Sequence, residues 1–477
     1  MSGDPTDTYL GIDLGTSGLK LTLVGSDGSV VAEAEETYEL QSAQPGYAEI
    51  DPHDWSRALD RCVDRLTQSP GGGHPGALVA AVGFSGQMHG VVLTDPDGQP
   101  LRPAMLWPDR RAASVMGRWH DLAPEVRGAL SNPLVPGMAG PLLTWLCDHE
   151  PASLRGALVA SPKDWLRRQL TSGDAAGDRS DASATLLWDV VADDWSARAV
   201  ELAGVTRGQL PDAAPSDAVV GVTRLLGGDD VPVVTGAADT AAALAALERT
   251  SLLGDGGVVV NAGTGIQILR MGARPEARVD PKTHLYGDAS GGWYEMLAIQ
   301  NGGLALDWAQ GTLGASWQEA VTLAGGTSPG ASGATFLPFL TGERGGLAPV
   351  APSAGWRHLT TSTGRAELLR AAFEAYAFTI RRGLEIIDAP AGPVLLTGGG
   401  GRDPWLRQLL ADVLDRPVAF VTLRSVSAVG AAVLAARGVG ADLDVPATVV
   451  EVEPGSVRVA GALETAYARW VATLQGR

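Results

Sequence analysis

Only two cysteines occur in 477 residues, Cys62 and Cys147. Two thiols are too few for a disulfide framework, and both stand in helical, apolar patterns, so reduced and buried side chains are expected. Long apolar runs are also missing. No stretch approaches the ~18 uninterrupted apolar residues of a membrane span. The opening MSGDPTDTYLGID has neither the basic region nor the apolar stretch of a signal peptide, which predicts a cytoplasmic protein. Positive charge is scarce: 36 Lys+Arg face 54 Asp+Glu, a formal charge of -18. That field repels nucleic acid and anionic membrane, so neither is expected as a partner, and an anionic substrate must be held by local dipoles and metal. What remains is an ordinary globular composition, 45% hydrophobic and 19% charged. The length exceeds what one hydrophobic core supports, so two domains are predicted.

The first pattern is YLGIDLGTSGLK, where Asp13 interrupts an apolar run just before a Gly-Thr-Ser-Gly turn. Strands on both sides of the turn and a further hairpin at Ser26-Asp27-Gly28 predict an antiparallel meander. Asp51-Pro52 then offers a helix start, and Trp55, Ala58, Leu59, Cys62, Val63 and Leu66 recur at helical spacing. SPGGGHPG reads as a loop, followed by a buried strand that ends in Gly86-Gln87-Met88-His89-Gly90. Residues 142 to 205 read as mostly helical, with the polar insert TSGDAAGDRSDASAT expected on the surface. VPVVTGAADTAAALAALE is a strand, a tight turn carrying Asp239 and an Ala-rich helix. GGVVVNAGTGIQILRMG then repeats the opening pattern with Asn261 where the first copy has Asp13, which reads as an internal duplication. The boundary between halves falls near 245 to 256, giving domains 1–245 and 246–477. Late in the chain, Gly398 to Gly401 precede an Asp403-Pro404 helix start, and SVSAVGAAVLAARG is a helix of small residues that another backbone or a ligand can approach closely.

A Gly-rich turn between strands directs backbone N–H groups into one concavity, which suits phosphate. Gly15, Thr16, Ser17 and Gly18 make one such turn and Gly263, Thr264 and Gly265 another, so a polyphosphate would be gripped from both sides. Each taken alone is equally a plain hairpin turn. Asp13 reads either as a strand-end acid capping a neighbouring turn or as a site, since an unpartnered buried carboxylate is costly. Asp239 reads either as a helix N-cap or as one of two carboxylates facing across a cleft. Transfer of a phosphoryl group to an alcohol needs a base near the hydroxyl and charge neutralisation at the phosphate, which two such acids would serve. Gln87 and His89 are either surface loop residues or hydrogen-bond partners for a polyol. Trp107, Asp109 and the arginines of WPDRR are either a salt-bridged corner or a sugar-stacking face.

With these residues assembled, the chain resembles the FGGY family of carbohydrate kinases to about residue 437. GIDLGTSGLK, FSGQMHGVVLTD, LRPAMLWPDRR, SPKDWLRRQLTSG, GAADTAAALAA, NAGTG, FLPFLTGER, LLTGGGGRDPWLRQLLADVL and AVGAAVLAA carry the resemblance, and QMHG points to the members that phosphorylate D-xylulose. The resemblance implies an α/β protein of two ribonuclease-H-like (actin/hexokinase-type) domains, with ATP and sugar in the cleft between them. It implies Asp239 as general base, Asp13 and Asp239 as acids at Mg2+, and a sugar pocket formed by Gln87, Met88, His89, Trp107, Asp109 and Thr240. Gly15, Thr16, Ser17, Lys20, Gly263, Thr264, Gly265, Gly399, Gly400 and Gly401 would contact ATP. It further implies a homodimer; the tail after about 437 is expected to pack back on the first domain. Thr240 stands where xylulose-specific members usually have Asn, and GERGGLAPVAP departs from the family pattern. Kinases for ribulose, fuculose, gluconate or glycerol therefore stay open as alternatives, as does an ATP-binding regulatory protein without turnover.

Overall fold

The computed structural model describes residues 7–41, 44–68, 79–171, 176–226, 229–250, 252–254, 256–343, 346–347, 353–455 and 457–476. The loop SPGGGHPG and most of GERGGLAPVAP lie outside them.

The first half of the chain forms a sheet from β1 (Thr8–Leu14), β2 (Gly18–Gly25), β3 (Val30–Thr37), β4 (Val79–Gly86), β5 (Val219–Thr223) and β6 (Val231–Val234) in the order β5-β6-β4-β1-β2-β3. A further short strand, β7 (Ala237–Ala238), pairs with the end of β4. β1 to β3 are the predicted antiparallel meander, while β1, β4 and β6 run parallel. α1 (Pro52–Gln68) buries Trp55, Leu59 and Cys62 against this sheet, as their helical spacing predicts. Cys62 is buried; Cys147, expected to be buried, is only partly so.

The second sheet repeats the design. It contains β8 (Val258–Ala262), β9 (Ile266–Met271), β10 (His284–Gly287), β11 (Trp293–Ile299), β12 (Val394–Thr397), β13 (Val418–Thr422) and β14 (Thr448–Val452), ordered β10-β11-β9-β8-β12-β13-β14. Again a meander, β8-β9-β11, precedes parallel pairing, β8-β12-β13, and an antiparallel edge. The register makes the duplication concrete. Asp13 has Lys20 beside it on β2 and Ser85 on β4; Asn261 has Gln267 on β9 and Thr397 on β12.

Two helices join the halves. α2 (Asp239–Glu248) follows β7, and α3 (Val426–Gly438) follows β13. Although α3 comes late in the chain, it lies on the first sheet. A Cβ at Gly11 would fall 1.8 Å from the Ala428 carbonyl oxygen, and one at Gly83 2.0 Å from that of Ala431. Gly430 in turn faces α2, where its Cβ would meet the Ala242 oxygen at 1.8 Å. The small residues therefore admit a backbone, one of the two options the sequence left open. The tail lies against the first domain at Gly28, whose Cβ would fall 1.8 Å from the Asp444 carbonyl oxygen, and Arg249, just past the boundary, donates from Nε to the Leu443 carbonyl at 2.7 Å. β14 then rejoins the second sheet, and the last helix buries Trp470 there, its indole donating to the Phe336 carbonyl.

One surface expectation is overturned. Residues 172–175 of TSGDAAGDRSDASAT lie outside the described residues, but Asp178, Ser180, Asp181 and Ser183 are buried. Fully buried Lys163 explains it, standing 2.7, 3.0 and 3.3 Å from Asp164, Asp178 and Asp181. Burial of charge is tolerable only with such pairing.

Candidate active site

Asp13 stands at the cleft, one residue before the end of β1. Its Oδ1 accepts from the Ser85 hydroxyl at 2.9 Å, and Lys20 stands across the strand pair. Burial raises its pKa, while the Ser85 hydrogen bond and the Lys20 charge pull it down. Asp239 opens α2 as its first residue; Ala238, not Asp239, is the N-cap. The Asp239 carboxylate accepts from the Thr240 N–H at 2.6 Å and the Thr240 hydroxyl at 3.1 Å. Burial first, and the Asp13 charge second, push its pKa up to about 6 despite those two bonds.

Two chambers meet at this acid. One, of about 870 Å³, is lined by Asp13, Lys20, Gly398, Gly399, Arg402 and Phe420 among others. The other, of about 770 Å³, is lined by Thr16, Met88, His89, Trp107, Gly263, Thr264, Gly265 and their neighbours. Among the described residues, Asp239, Thr240, Asn261 and Gln267 alone line both.

His89 borders the second chamber with its backbone in the left-handed region, φ 72. Burial pulls its pKa down to about 4, so the ring is neutral at pH 7. Nδ1 lies 2.6 Å from the Ala184 carbonyl and must donate to it, which leaves Nε2 as an acceptor. Trp107 is 46% exposed and donates from its indole to the Thr16 hydroxyl at 2.9 Å.

Other predicted residues stand elsewhere. Gln87 is buried, and its amide donates to the Gly15 carbonyl at 3.1 Å, so it supports the first turn instead of facing the chamber. Asp109 is buried too, bound to the Ala48 N–H and the Arg111 guanidinium, with Glu49 sharing that arginine. That is the salt-bridged corner, not a sugar contact. Gly15 and Gly263 spend their N–H groups inside their own turns, on Gly18 and Gly265 carbonyls. Of the remaining turn residues, Thr16, Thr264 and Gly265 line the second chamber, and Ser17 lines neither. Of the glycine run, Gly399 lines the first chamber, whereas a Cβ at Gly400 would strike the Tyr376 hydroxyl and one at Gly401 the Phe420 ring. Those two glycines permit packing beneath the chamber.

Arg110, one of the two arginines of WPDRR, lines the second chamber, whereas Lys282 and Met138 line it without having been singled out in the sequence, as Arg402 and Phe420 line the first. Only the strand pairing brings the segment around Lys282 to the cleft; no local pattern marks it.

Two duplicated sheets around a cleft, with two acids and two hairpin turns on its walls, define a kinase of the actin/hexokinase class. Residues 8–246 match the model of the N-terminal domain of the FGGY family of carbohydrate kinases, and residues 258–439 that of its C-terminal domain. The chain belongs to that family and is an ATP-dependent sugar kinase. It is 33% identical to the xylulose kinase of Escherichia coli (strain K12) over 444 residues, 90% of this chain and 89% of the relative. It is 31% identical to the xylulose kinase of Streptomyces coelicolor over 91% of this chain and 89% of the relative. The crystal structure of xylulose kinase from Rhodospirillum rubrum superposes with a TM-score of 0.87 at 26% identity, covering 98% of each chain. A gluconate kinase from Lactobacillus acidophilus, at 21% identity over 98% of this chain and 97% of that one, has a TM-score of 0.89 and shares the fold. Among the described residues no helix is long and apolar enough to cross a membrane.

Proposed function

We propose that the protein transfers the terminal phosphoryl group of ATP to the C5 hydroxyl of D-xylulose, giving D-xylulose 5-phosphate. The observation that carries the mechanism is the position of Asp239 where the two chambers meet, with its pKa pushed up to about 6. A base is most effective when its pKa lies near the working pH. Asp239 accepts the hydroxyl proton as the sugar oxygen forms its bond to the γ-phosphorus and the bond to the ADP oxygen breaks. Thr16 and Thr264 N–H groups and Lys20 are the donors for phosphate oxygens, and Gly399 borders the nucleoside. Met88, His89, Trp107 and Thr240 hold the sugar.

Mg2+ fits the donor set. Asp13 and Asp239 present hard oxygen ligands whose like charges oppose each other, and Mg2+ takes one or two carboxylates and completes its shell with phosphate oxygens and water. When bound it offsets the charge on the transferring phosphate. The relatives named xylulose kinase support D-xylulose as the substrate. An anionic acceptor such as an aldonate has one observation in its favour, the cations Arg110 and Lys282 on the same chamber.

A coupled ADP-release assay over pentuloses, polyols and aldonates tests the reading. D-xylulose is expected to give the highest kcat/KM; a preference for gluconate would transfer the reading to the anionic class, and no stimulated release would favour a regulatory protein. Because the raised Asp239 pKa leaves the carboxylate form dominant only above about pH 6, kcat/KM is expected to fall about tenfold per pH unit below that value. Thr240→Val removes a hydrogen bond that stabilises the carboxylate, so this limb should move to higher pH. An unshifted limb would detach Thr240 from the base. His89→Ala should raise the sugar KM about tenfold, the scale of one lost hydrogen bond, and leave the ATP KM unchanged. An unchanged sugar KM would remove His89 from the pocket.

A further inference from the structure

The short helix Arg179–Ser183 has no place in the chemistry above, yet three parts of the site hang from it. The Ser180 hydroxyl accepts from the Ala238 N–H at 2.8 Å, immediately before Asp239. Ser183 Oγ accepts from the Gly287 N–H at 2.9 Å, next to Tyr286, whose ring packs against His89 with centroids 6.0 Å apart. The Ala184 carbonyl is the acceptor that fixes the His89 ring.

The first of these bonds has an unusual construction. Ala238 is the N-cap of α2, and no local side chain caps that helix. The Ala238 N–H donates to Ser180, 58 residues earlier in the chain. A hydroxyl is a reliable acceptor only if its own proton is directed elsewhere. Here the proton goes to Asp178 Oδ2, and that carboxylate also accepts the Ser180 N–H at 2.8 Å. Asp178 Oδ1 in turn faces Lys163 at 3.0 Å, and every member of the series is buried. Lys163 pairs with Asp178, Asp178 turns the Ser180 hydroxyl, and the hydroxyl sets the backbone that carries Asp239.

We propose that Asp178 and Ser180 are positioning residues for the phosphoryl transfer: they clamp the backbone at Ala238 and so fix the Asp239 carboxylate against the acceptor hydroxyl. The proposal rests on Asp239 as the base. A displacement of about 1 Å at such a group can cost on the order of a hundredfold in rate. Because the clamp acts on one wall of the cleft, it bears on kcat with the sugar and not on ATP affinity.

The test uses the full-length enzyme with D-xylulose, ATP and Mg2+, comparing Ser180→Ala, Ser180→Thr and Asp239→Asn. Ser180→Ala should lower kcat by about 10 to 100-fold with the ATP KM within twofold of wild type. Ser180→Thr retains the hydroxyl and should recover most of that loss. Full kcat in Ser180→Ala, with Asp239→Asn inactive, would overturn the clamp and leave the base in place. Equal losses in the Ala and Thr variants, matched by equal falls in Tm, would overturn it as well, since packing alone would account for them. Substantial turnover in Asp239→Asn would instead refute the base, and with it the premise of the clamp. If Ser180→Ala fails to fold, Asp178→Asn supplies the second comparison: it keeps shape and volume but weakens the hold on the Ser180 proton, and unchanged kcat there would overturn the proposal.

Discussion

Asp239→Asn should lose about 10²- to 10⁴-fold in kcat while ATP binding stays within a factor of a few, and the folded protein should become more stable. The rate loss follows because an amide cannot take the hydroxyl proton, while Thr16, Lys20 and Gly399 are untouched. The gain in stability follows from linkage. The folded-state pKa of Asp239 stands near 6, above its ordinary 3.8, so at neutral pH the fold holds a carboxylate in a place that resists its charge. That penalty is full above about pH 6, shrinks as the pH falls through 6, and is gone below the unfolded value near 4. Removing the charge should therefore raise stability by about 1–3 kcal/mol at pH 8 and by only about 0.5 kcal/mol at pH 4. Denaturation of both proteins at the two pH values measures it. A variant that is inactive and also less stable at pH 8 would show that Asp239 supports the fold.

The second large effect concerns the helix that crosses between the halves. Gly430→Ala places a methyl group 1.8 Å from the Ala242 carbonyl oxygen, a backbone atom that cannot move without shifting α2. Since Asp239 opens α2, the displacement reaches the site as well as the core. We expect a loss of about 3 kcal/mol or more, the upper end of what overpacking costs, with a sharp fall in soluble yield and activity. Gly461 in the last helix has nothing within 4 Å of its Cβ position. Gly461→Ala should thus be stabilising by about 0.5–1 kcal/mol. Thermal melts of the two variants settle the matter; a Gly430→Ala protein that melts like wild type would mean that α2 and α3 are not seated this closely.

Much of the site was legible because its signals are local. An acid before a glycine turn, a turn repeated in the second half, and Asp239 ahead of an Ala-rich helix each lie within a few residues of sequence. The misreadings share one physical origin. Gln87, Asp109 and Asp178 are polar residues in Gly-, Pro- or Ser-rich segments, and their partners Gly15, Ala48 and Lys163 are distant in sequence or in another pattern. A polar residue looks exposed until the group that satisfies it is known. Likewise, the small residues of α3 announced a close approach but not that the first sheet was the approaching surface. Lys282 reaches the second chamber through its place just before β10, which no periodicity encodes.

The central claim is that one phosphoryl group moves from ATP to the terminal hydroxyl of a ketopentose held beside Asp239. Its most direct measurement is NMR of the product formed from D-xylulose, ATP, Mg2+ and the wild-type enzyme. The account predicts one equivalent of ADP and a single phosphomonoester whose phosphorus couples to the C5 protons and carbon. A phosphoester at C1, or ADP released with no sugar phosphate formed, would contradict it.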